Sequence, residues 1–260
     1  MDRHDPIGFF DSGLGGISVL RETLRLLPRE DYIYFGDSLH APYGVKPAEE
    51  VKALCASAVE HLIRQGAKAI VIACNTATSV AAAELRRRYP HIPIIGTEPA
   101  VKPAVERHPG GRILIMATAM TLKEQKFQDL WNQYREQAEI IPVPCSGLME
   151  FVEQGILRGE ELENFLMDKL MPFMKVPVDA VVLGCTHYPF LRGAIRHLVG
   201  RTPEIMDGSD GIARQLHRRL KELGLLNDRL ENGSVDFQNS LEGTEILELS
   251  RKLLQYEDEE

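Results

Sequence analysis

The sequence predicts two similar parallel-sheet α/β domains related by a pseudo-twofold axis, with the active site in the cleft between them. Three observations carry this. Apolar, β-branched runs alternate with segments of helical spacing, the order expected of parallel sheets. Two of these runs end alike. Ala69-Ile-Val-Ile-Ala-Cys74-Asn75-Thr76 and Ala180-Val-Val-Leu-Gly-Cys185-Thr186-His187 each join an apolar strand to a small residue, a cysteine and hydrogen-bonding residues, 111 positions apart (185 − 74). The run at 7–12 is answered by the run at 113–118, so a strand–turn unit and a strand–cysteine unit recur in the same order.

The elements follow in sequence. Residues 7–10 form a short strand ending in Asp11-Ser12-Gly13-Leu14-Gly15-Gly16, and 17–27 carry apolar residues at helical spacing. Residues 32–35 are the next strand, ending at Gly36-Asp37-Ser38. A long helix over 47–65 stops at Gly66. The strand 69–73 carries Cys74, an Ala-rich helix spans 76–89, and 92–95 is a strand after Pro90. The pattern then restarts. A strand at 112–116 ends in Ala117-Thr118-Ala119-Met120-Thr121, a helix runs through Trp131, a strand covers 139–143, helices cover 147–173, and the Cys185 strand follows. After Asp207-Gly208-Ser209 come a basic amphipathic helix to Leu223, a weaker strand at 234–237 and a last helix at 244–254. This tail is too small for a domain. It is expected to pack onto the first half, giving one domain of 1–97 plus 208–260 and a second of 98–207. The acidic end at 256–260 is expected to be frayed and solvated.

Composition narrows the function. Hydrophobic content of 44% with 26% charged residues is that of a soluble globular chain. The net charge of −8 and the lack of a basic cluster argue against nucleic acid as the primary partner. No apolar run approaches the ~20 residues of a membrane span. The N-terminus has no signal-peptide pattern. Four cysteines without a Cys-x-x-Cys pair suit a reducing cytoplasm.

A single strand-end cysteine is more often packing than chemistry. Two in matched contexts point the other way, to facing thiols serving as acid and base on opposite sides of a small substrate. Each is expected to precede a helix start, where the positive helix end lowers a thiol pKa from ~8.5. Cys55, in mid-helix, and Cys145, between Pro144 and Ser146, lack that context and read as structural. The Asp11–Gly16 turn exposes backbone N–H groups suited to an anion, or is simply a helix cap. Pro42-Tyr43-Gly44 alone reads as a surface turn. Thr118 and Thr121 are caps or, at the mirrored position, carboxylate ligands. His187 is a core histidine, a general acid or a ligand, and Glu153 alone reads as an exposed helix glutamate.

Together, Asp11-Ser12-Gly13-Leu14-Gly15-Gly16, Pro42-Tyr43-Gly44, Cys74-Asn75-Thr76 and Gly184-Cys185-Thr186-His187-Tyr188-Pro189 resemble the glutamate racemase branch of the cofactor-independent aspartate/glutamate racemase superfamily. The resemblance runs from residue 7 to about residue 211. It implies interconversion of L- and D-glutamate without cofactor or metal, in the cytoplasm, supplying D-glutamate for peptidoglycan. It also implies Cys74 and Cys185 as the acid/base thiols, Asp11 assisting Cys74, and His187 with Glu153 assisting Cys185. Ser12, Tyr43, Gly44, Asn75, Thr76, Thr118, Thr121, Thr186 and His187 would line the substrate site. Ala117 and Ala119-Met120 depart from the glycine-containing sequence usual in the family, and the strand around Asp236-Phe237-Gln238 departs from its usual tail. The expected partner is a small amino acid, with no membrane; a homodimer is compatible with the sequence.

Three other readings stay open on the residues alone. One is a racemase of the same superfamily acting on aspartate or a hydantoin. Another is a metal hydrolase using Cys74, Cys185 and His187 as ligands, although carboxylates typical of such sites do not cluster in sequence. The third is a two-lobed amino-acid-binding or regulatory protein.

Overall fold

The computed structural model describes residues 1–257, apart from the side chain of Lys126; the acidic end expected to be solvated lies partly outside the described residues. In chain order the elements are β1 (Ile7–Asp11), α1 (Ile17–Leu26), β2 (Tyr32–Gly36), α2 (Ala48–Arg64), β3 (Ala69–Ile72), α3 (Asn75–Arg88), β4 (Ile94–Gly96), α4 (Val101–Arg107), β5 (Arg112–Ala117), α5 (Ala119–Lys123), α6 (Gln125–Tyr134), β6 (Glu139–Pro144), α7 (Leu148–Glu153), α8 (Glu160–Leu170), β7 (Ala180–Leu183), α9 (Arg192–Val199), β8 (Glu204–Asp207), α10 (Ser209–Glu222), β9 (Val235–Asn239) and α11 (Glu245–Gln255). No helix among the described residues is long and apolar enough to cross a membrane.

The chain divides into two compact units, one of Met1–Thr97 with Ser209–Gln255 and the other of Glu98–Gly208 with Tyr256 and Glu257, so that Gly208 and the residues just after Gln255, expected in the first domain, group with the second. The sheet of the first has the order β4-β3-β1-β2-β9, with every pairing parallel. That of the second has the order β6-β5-β7-β8, again all parallel. Read from β2, the first sheet runs β2-β1-β3-β4, and the second repeats it as β6-β5-β7-β8. The first differs by β9, which extends the sheet beyond β2.

Burial explains the sequence pattern. β1, β3 and β7 are buried along their whole length. Strands covered on both faces read as continuous apolar runs rather than alternating ones. Ile70 and Ile72 pack with Val51, Val59 and Leu62 of α2 and with Ala77, Ala81 and Leu85 of α3. In the second unit Ile113, Ile115 and Val182 pack with Val101 and Val105 of α4 and Phe127 of α6. β6 is the exception that proves informative: it contains Pro142 and Pro144, which a sheet accepts because β6 is an edge strand.

Some segments differ from expectation. The single helix through Trp131 is two helices, because Glu124 between them is extended, with φ −66° and ψ 143°. α4, α9 and β8 are additional to the predicted elements. α4 holds Pro103 in its first turn, where a backbone N–H has no helical partner to lose.

A buried ion pair ties the first unit together at the opposite end from the cysteine. Lys68 Nζ lies 2.5 Å from Glu30 Oε2, and the two side chains are 0% and 2% exposed. Lys68 also donates to the Arg3 carbonyl, and Glu30 Oε1 accepts the Asn227 N–H at 2.9 Å. Each charge is thus offset by a partner and further hydrogen bonds, as burial demands.

Candidate active site

Strand order selects one crevice in each sheet. In the first unit the chain steps from β1 to β2 on one side and returns as β3 on the other, so the order reverses between β1 and β3. In the second unit the reversal falls between β5 and β7. Open α/β sheets bind ligands at the carboxyl ends of the strands at such a reversal. Asp11 ends β1 and Cys74 follows β3; Thr118 follows β5 and Cys185 follows β7.

The first cluster begins with the Asp11–Gly16 turn. Asp11 is buried, and its Oδ2 accepts the Gly13 N–H at 2.9 Å. The buried Tyr34 hydroxyl donates to the Gly13 carbonyl at 2.8 Å. Gly16 has no room for a side chain: a Cβ there would lie 2.8 Å from the Cβ atoms of both Asp11 and Ala73. The turn therefore folds tightly against the bend that carries Cys74. Ser12 is buried beside Asp11.

Cys74, 6% exposed, is the N-cap of α3, and its Sγ accepts the Ala77 N–H at 3.4 Å. A sulfur that accepts an N–H at the positive end of a helix is favoured as thiolate. Asn75 and Thr76 open that helix. Thr76 is buried, and Asn75 Oδ1 is a buried acceptor with no hydrogen-bond partner among the described residues. Leaving such an atom unpaired costs about 1–3 kcal/mol, which marks it as a place for a ligand donor.

Tyr43 and Gly44 lie in a single 3-10 turn, Tyr43–Val45. Tyr43 is fully buried in the core that contains Phe10, Cys55 and Cys74, not on the surface. Its hydroxyl donates to Asp37 Oδ2 at 2.6 Å, while Asp37 Oδ1 pairs with His40 Nδ1 at 2.8 Å. Burial and that bond push the phenol well above its usual pKa. Burial, then the neighbouring Cys74, also pushes the Cys55 thiol up, so it stays protonated. Sequence reasoning missed Asp37, although it follows β2 just as Asp11 closes β1.

The second cluster has a different local structure. Gly184 is required by close approach, because a Cβ there would lie 2.8 Å from the Met116 carbonyl oxygen. Cys185, 8% exposed, does not sit at an α-helix start as expected. It is followed by Thr186, by His187 and by a 3-10 turn, Tyr188–Leu191, with α9 beginning only at Arg192. A proline at the second position of that turn and full burial of Tyr188 replace the expected helical turn.

The support for Cys185 comes instead from a side chain. His187 Nδ1 lies 3.6 Å from Cys185 Sγ, and its Nε2 lies 2.6 Å from Glu153 Oε1. His187 is 1% exposed. Burial disfavours its charged form, but the hydrogen bonds to Cys185 and Glu153 outweigh burial and hold its pKa well above the usual histidine range. An imidazolium donates through both nitrogens, to sulfur on one side and carboxylate on the other. Glu153, the last residue of α7, is therefore a partner of His187 rather than a solvated helix residue. Thr186 is buried. Thr118 caps α5, accepting the Thr121 N–H at 3.2 Å, and the two hydroxyls lie 2.9 Å apart.

The remaining thiol here is buried. Burial pushes Cys145 up to about 12, and its Sγ donates to the Val143 carbonyl at 3.4 Å. Tyr188 donates to the Cys145 carbonyl at 3.0 Å, a role its place in the sequence motif did not reveal. Among the described residues no group of three or more His, Cys, Asp or Glu is placed to hold a metal ion.

Each of these two thiols follows a central strand at the point where its sheet's order reverses, and each has its own hydrogen-bond partner. The Asp/Glu/hydantoin racemase family model matches residues 12–216, and the chain belongs to that family. It is 54% identical over 253 residues to the glutamate racemase of Clostridium perfringens (strain SM101 / Type A), covering 97% of each chain. Its structure is similar to that of glutamate racemase isoform RacE1 from Bacillus anthracis, with TM-score 0.87, 30% identity and coverage of 98% of this chain and 96% of that one. It is similar also to glutamate racemase from Francisella tularensis in complex with D-glutamate, with TM-score 0.84, 28% identity and coverage of 98% and 95%.

Proposed function

We propose that the protein interconverts L- and D-glutamate without a cofactor, with Cys74 and Cys185 as two acid/base groups acting on opposite faces of Cα. The observation that carries the reading is the pair of thiols that follow equivalent strands of two similarly ordered sheets, each hydrogen-bonded by its own neighbours. The substrate assignment is supported by the 54% identity to a glutamate racemase.

The chemistry follows from what the residues can do. The α-proton of an amino acid is a weak acid, so one thiolate must remove it while a thiol on the other face delivers a proton. The two sulfurs exchange states with each turnover and the reverse reaction uses them in the opposite sense. Asp11 assists proton traffic at Cys74, and His187, held by Glu153, does so at Cys185. Backbone N–H groups of the Asp11–Gly16 turn, with the hydroxyls of Ser12, Thr76, Thr118, Thr121 and Thr186, are donors for carboxylate oxygens where charge develops. Asn75 Oδ1 offers the acceptor that an ammonium group needs. On this reading Tyr43 and Gly44 also belong to the substrate site, while the Tyr43 hydroxyl is bound to Asp37. On this reading the protein works in the cytoplasm and supplies D-glutamate for peptidoglycan.

Turnover of L-glutamate in D₂O without added cofactor tests both parts. Two opposed thiols predict early D-glutamate carrying deuterium at Cα while unreacted L-glutamate stays protiated. Original Cα proton carried into early D-glutamate would refute the two-base mechanism; faster racemisation of aspartate than of glutamate would refute the substrate.

A further inference from the structure

Cys74 stands at a bend. The chain leaves β3 at Ile72, passes Ala73 and Cys74, and enters α3 at Asn75. One residue ties both sides of that bend. The Thr78 hydroxyl donates to the Ile72 carbonyl at 3.0 Å, and the Thr78 backbone N–H donates to the Cys74 carbonyl at 2.9 Å. The hydroxyl oxygen also accepts the Thr97 N–H at 3.0 Å and lies 3.2 Å from Thr97 Oγ1. A hydroxyl has one donor and two acceptor sites, and this one uses all three.

The arrangement is unusual for its position. A threonine inside a helix ordinarily turns its hydroxyl back to the carbonyl one turn earlier. Thr78 reaches past that carbonyl to the strand, six residues back. Both threonines are buried. Gly96, at the end of β4, makes the space: a Cβ there would lie 2.5 Å from Thr78 Cγ2. Arg86 Nε, in the last turn of α3, donates to the Ile94 carbonyl of β4 at 3.0 Å. The first turn of α3 is thus fixed to β3 and to Thr97, the residue after β4, while Arg86 fixes its last turn to β4.

We propose that Thr78 is a positioning residue for Cys74, fixing the strand-to-helix bend that aims the thiol; this rests on reading Cys74 as an acid/base group. Thr78→Val keeps the shape and removes all three hydroxyl interactions, while Thr78→Ser keeps the hydroxyl. A thiol displaced by a fraction of an ångström loses rate rather than binding, so Thr78→Val is expected to lower kcat by ~10-fold or more with little change in KM. Thr78→Ser should recover most of that loss. Limited alkylation read by mass spectrometry should show an altered rate at Cys74 and an unaltered rate at Cys185 in Thr78→Val. An unchanged kcat in Thr78→Val, an equal loss in Thr78→Ser, or equal changes at both thiols would overturn the proposal. Should Thr78→Val fail to fold, Thr97→Val removes one partner of the same hydroxyl, and wild-type kcat and alkylation in that variant would overturn it as well. Cys74→Ala is measured alongside: activity there refutes the two-thiol reading, whereas an inactive Cys74→Ala beside an unimpaired Thr78→Val refutes only the role of Thr78.

Discussion

The Cys74 and Cys185 clusters occupy equivalent places in similarly ordered sheets, yet support sulfur by different means. Cys74 relies on backbone: it caps α3 and accepts the Ala77 N–H. Cys185 has no α-helix start beside it and relies on a buried imidazole backed by a carboxylate. A helix terminus offers a fixed partial positive charge that does not titrate. A histidine offers a full charge that depends on pH and on its partner. The difference teaches that equivalence of position constrains which atom sits in the crevice, not how its protonation is controlled.

The comparison breaks first if only one thiol matters. Cys74→Ala and Cys185→Ala are each expected to lower racemisation by at least ~10²–10⁴-fold, the usual cost of a lost acid or base. Cys55→Ala and Cys145→Ala should keep activity per folded protein, because both thiols are buried and held protonated. Steady-state assays of the four purified variants decide this, and substantial activity in either of the first two would remove the symmetry.

A smaller effect sharpens the asymmetry. His187→Asn is expected to cost ~10²-fold in kcat, within the range for a positioned proton carrier. The effect of Glu153→Gln should be smaller, because the carboxylate acts through His187 and leaves the imidazole in place. Selective alkylation should slow at Cys185 in both variants and stay unchanged at Cys74. Slowing at Cys74 of the same size would mean that the two clusters are not independently controlled.

The smallest expected effect lies in stability against pH. The folded pKa of His187 is raised, so its contribution is fully present below the unfolded value of ~6.5 and is lost as pH rises through the higher folded value. Removing the carboxylate in Glu153→Gln lowers that folded pKa and narrows the window. Urea unfolding from mildly acidic to alkaline pH should therefore show a steeper decline for the wild type than for Glu153→Gln. Parallel curves would indicate that Glu153 does not stabilise the imidazolium.

Much of this was legible in residue order. The alternation of apolar runs and helical spacing located most strands, because strands buried on both faces leave continuous Val, Ile and Ala runs in the sequence. The Asp11–Gly16 turn and the two strand–cysteine units were readable because they are local. Glu153 was readable only through the family resemblance and not from its own surroundings, because its partner His187 lies 34 residues away and packing of α7 brings them together. Tyr43 looked like a surface turn, and its burial against Phe10 and Asp37 has no local signature.

The sequence by itself determined the parallel α/β class, the repeated strand–cysteine unit and the chemical identities of the site residues, since these rest on periodicity and on side chains close in the chain. Tertiary structure alone decided the strand order that puts Asp11 beside Cys74 and Thr118 beside Cys185, the geometry of the His187–Glu153 pair, and the Thr78 tie across the Cys74 bend. The physical reason is range. Periodicity records which face of an element is buried, whereas strand neighbours and buried hydrogen-bond partners are fixed by contacts between residues distant in sequence, for which a local pattern carries no information.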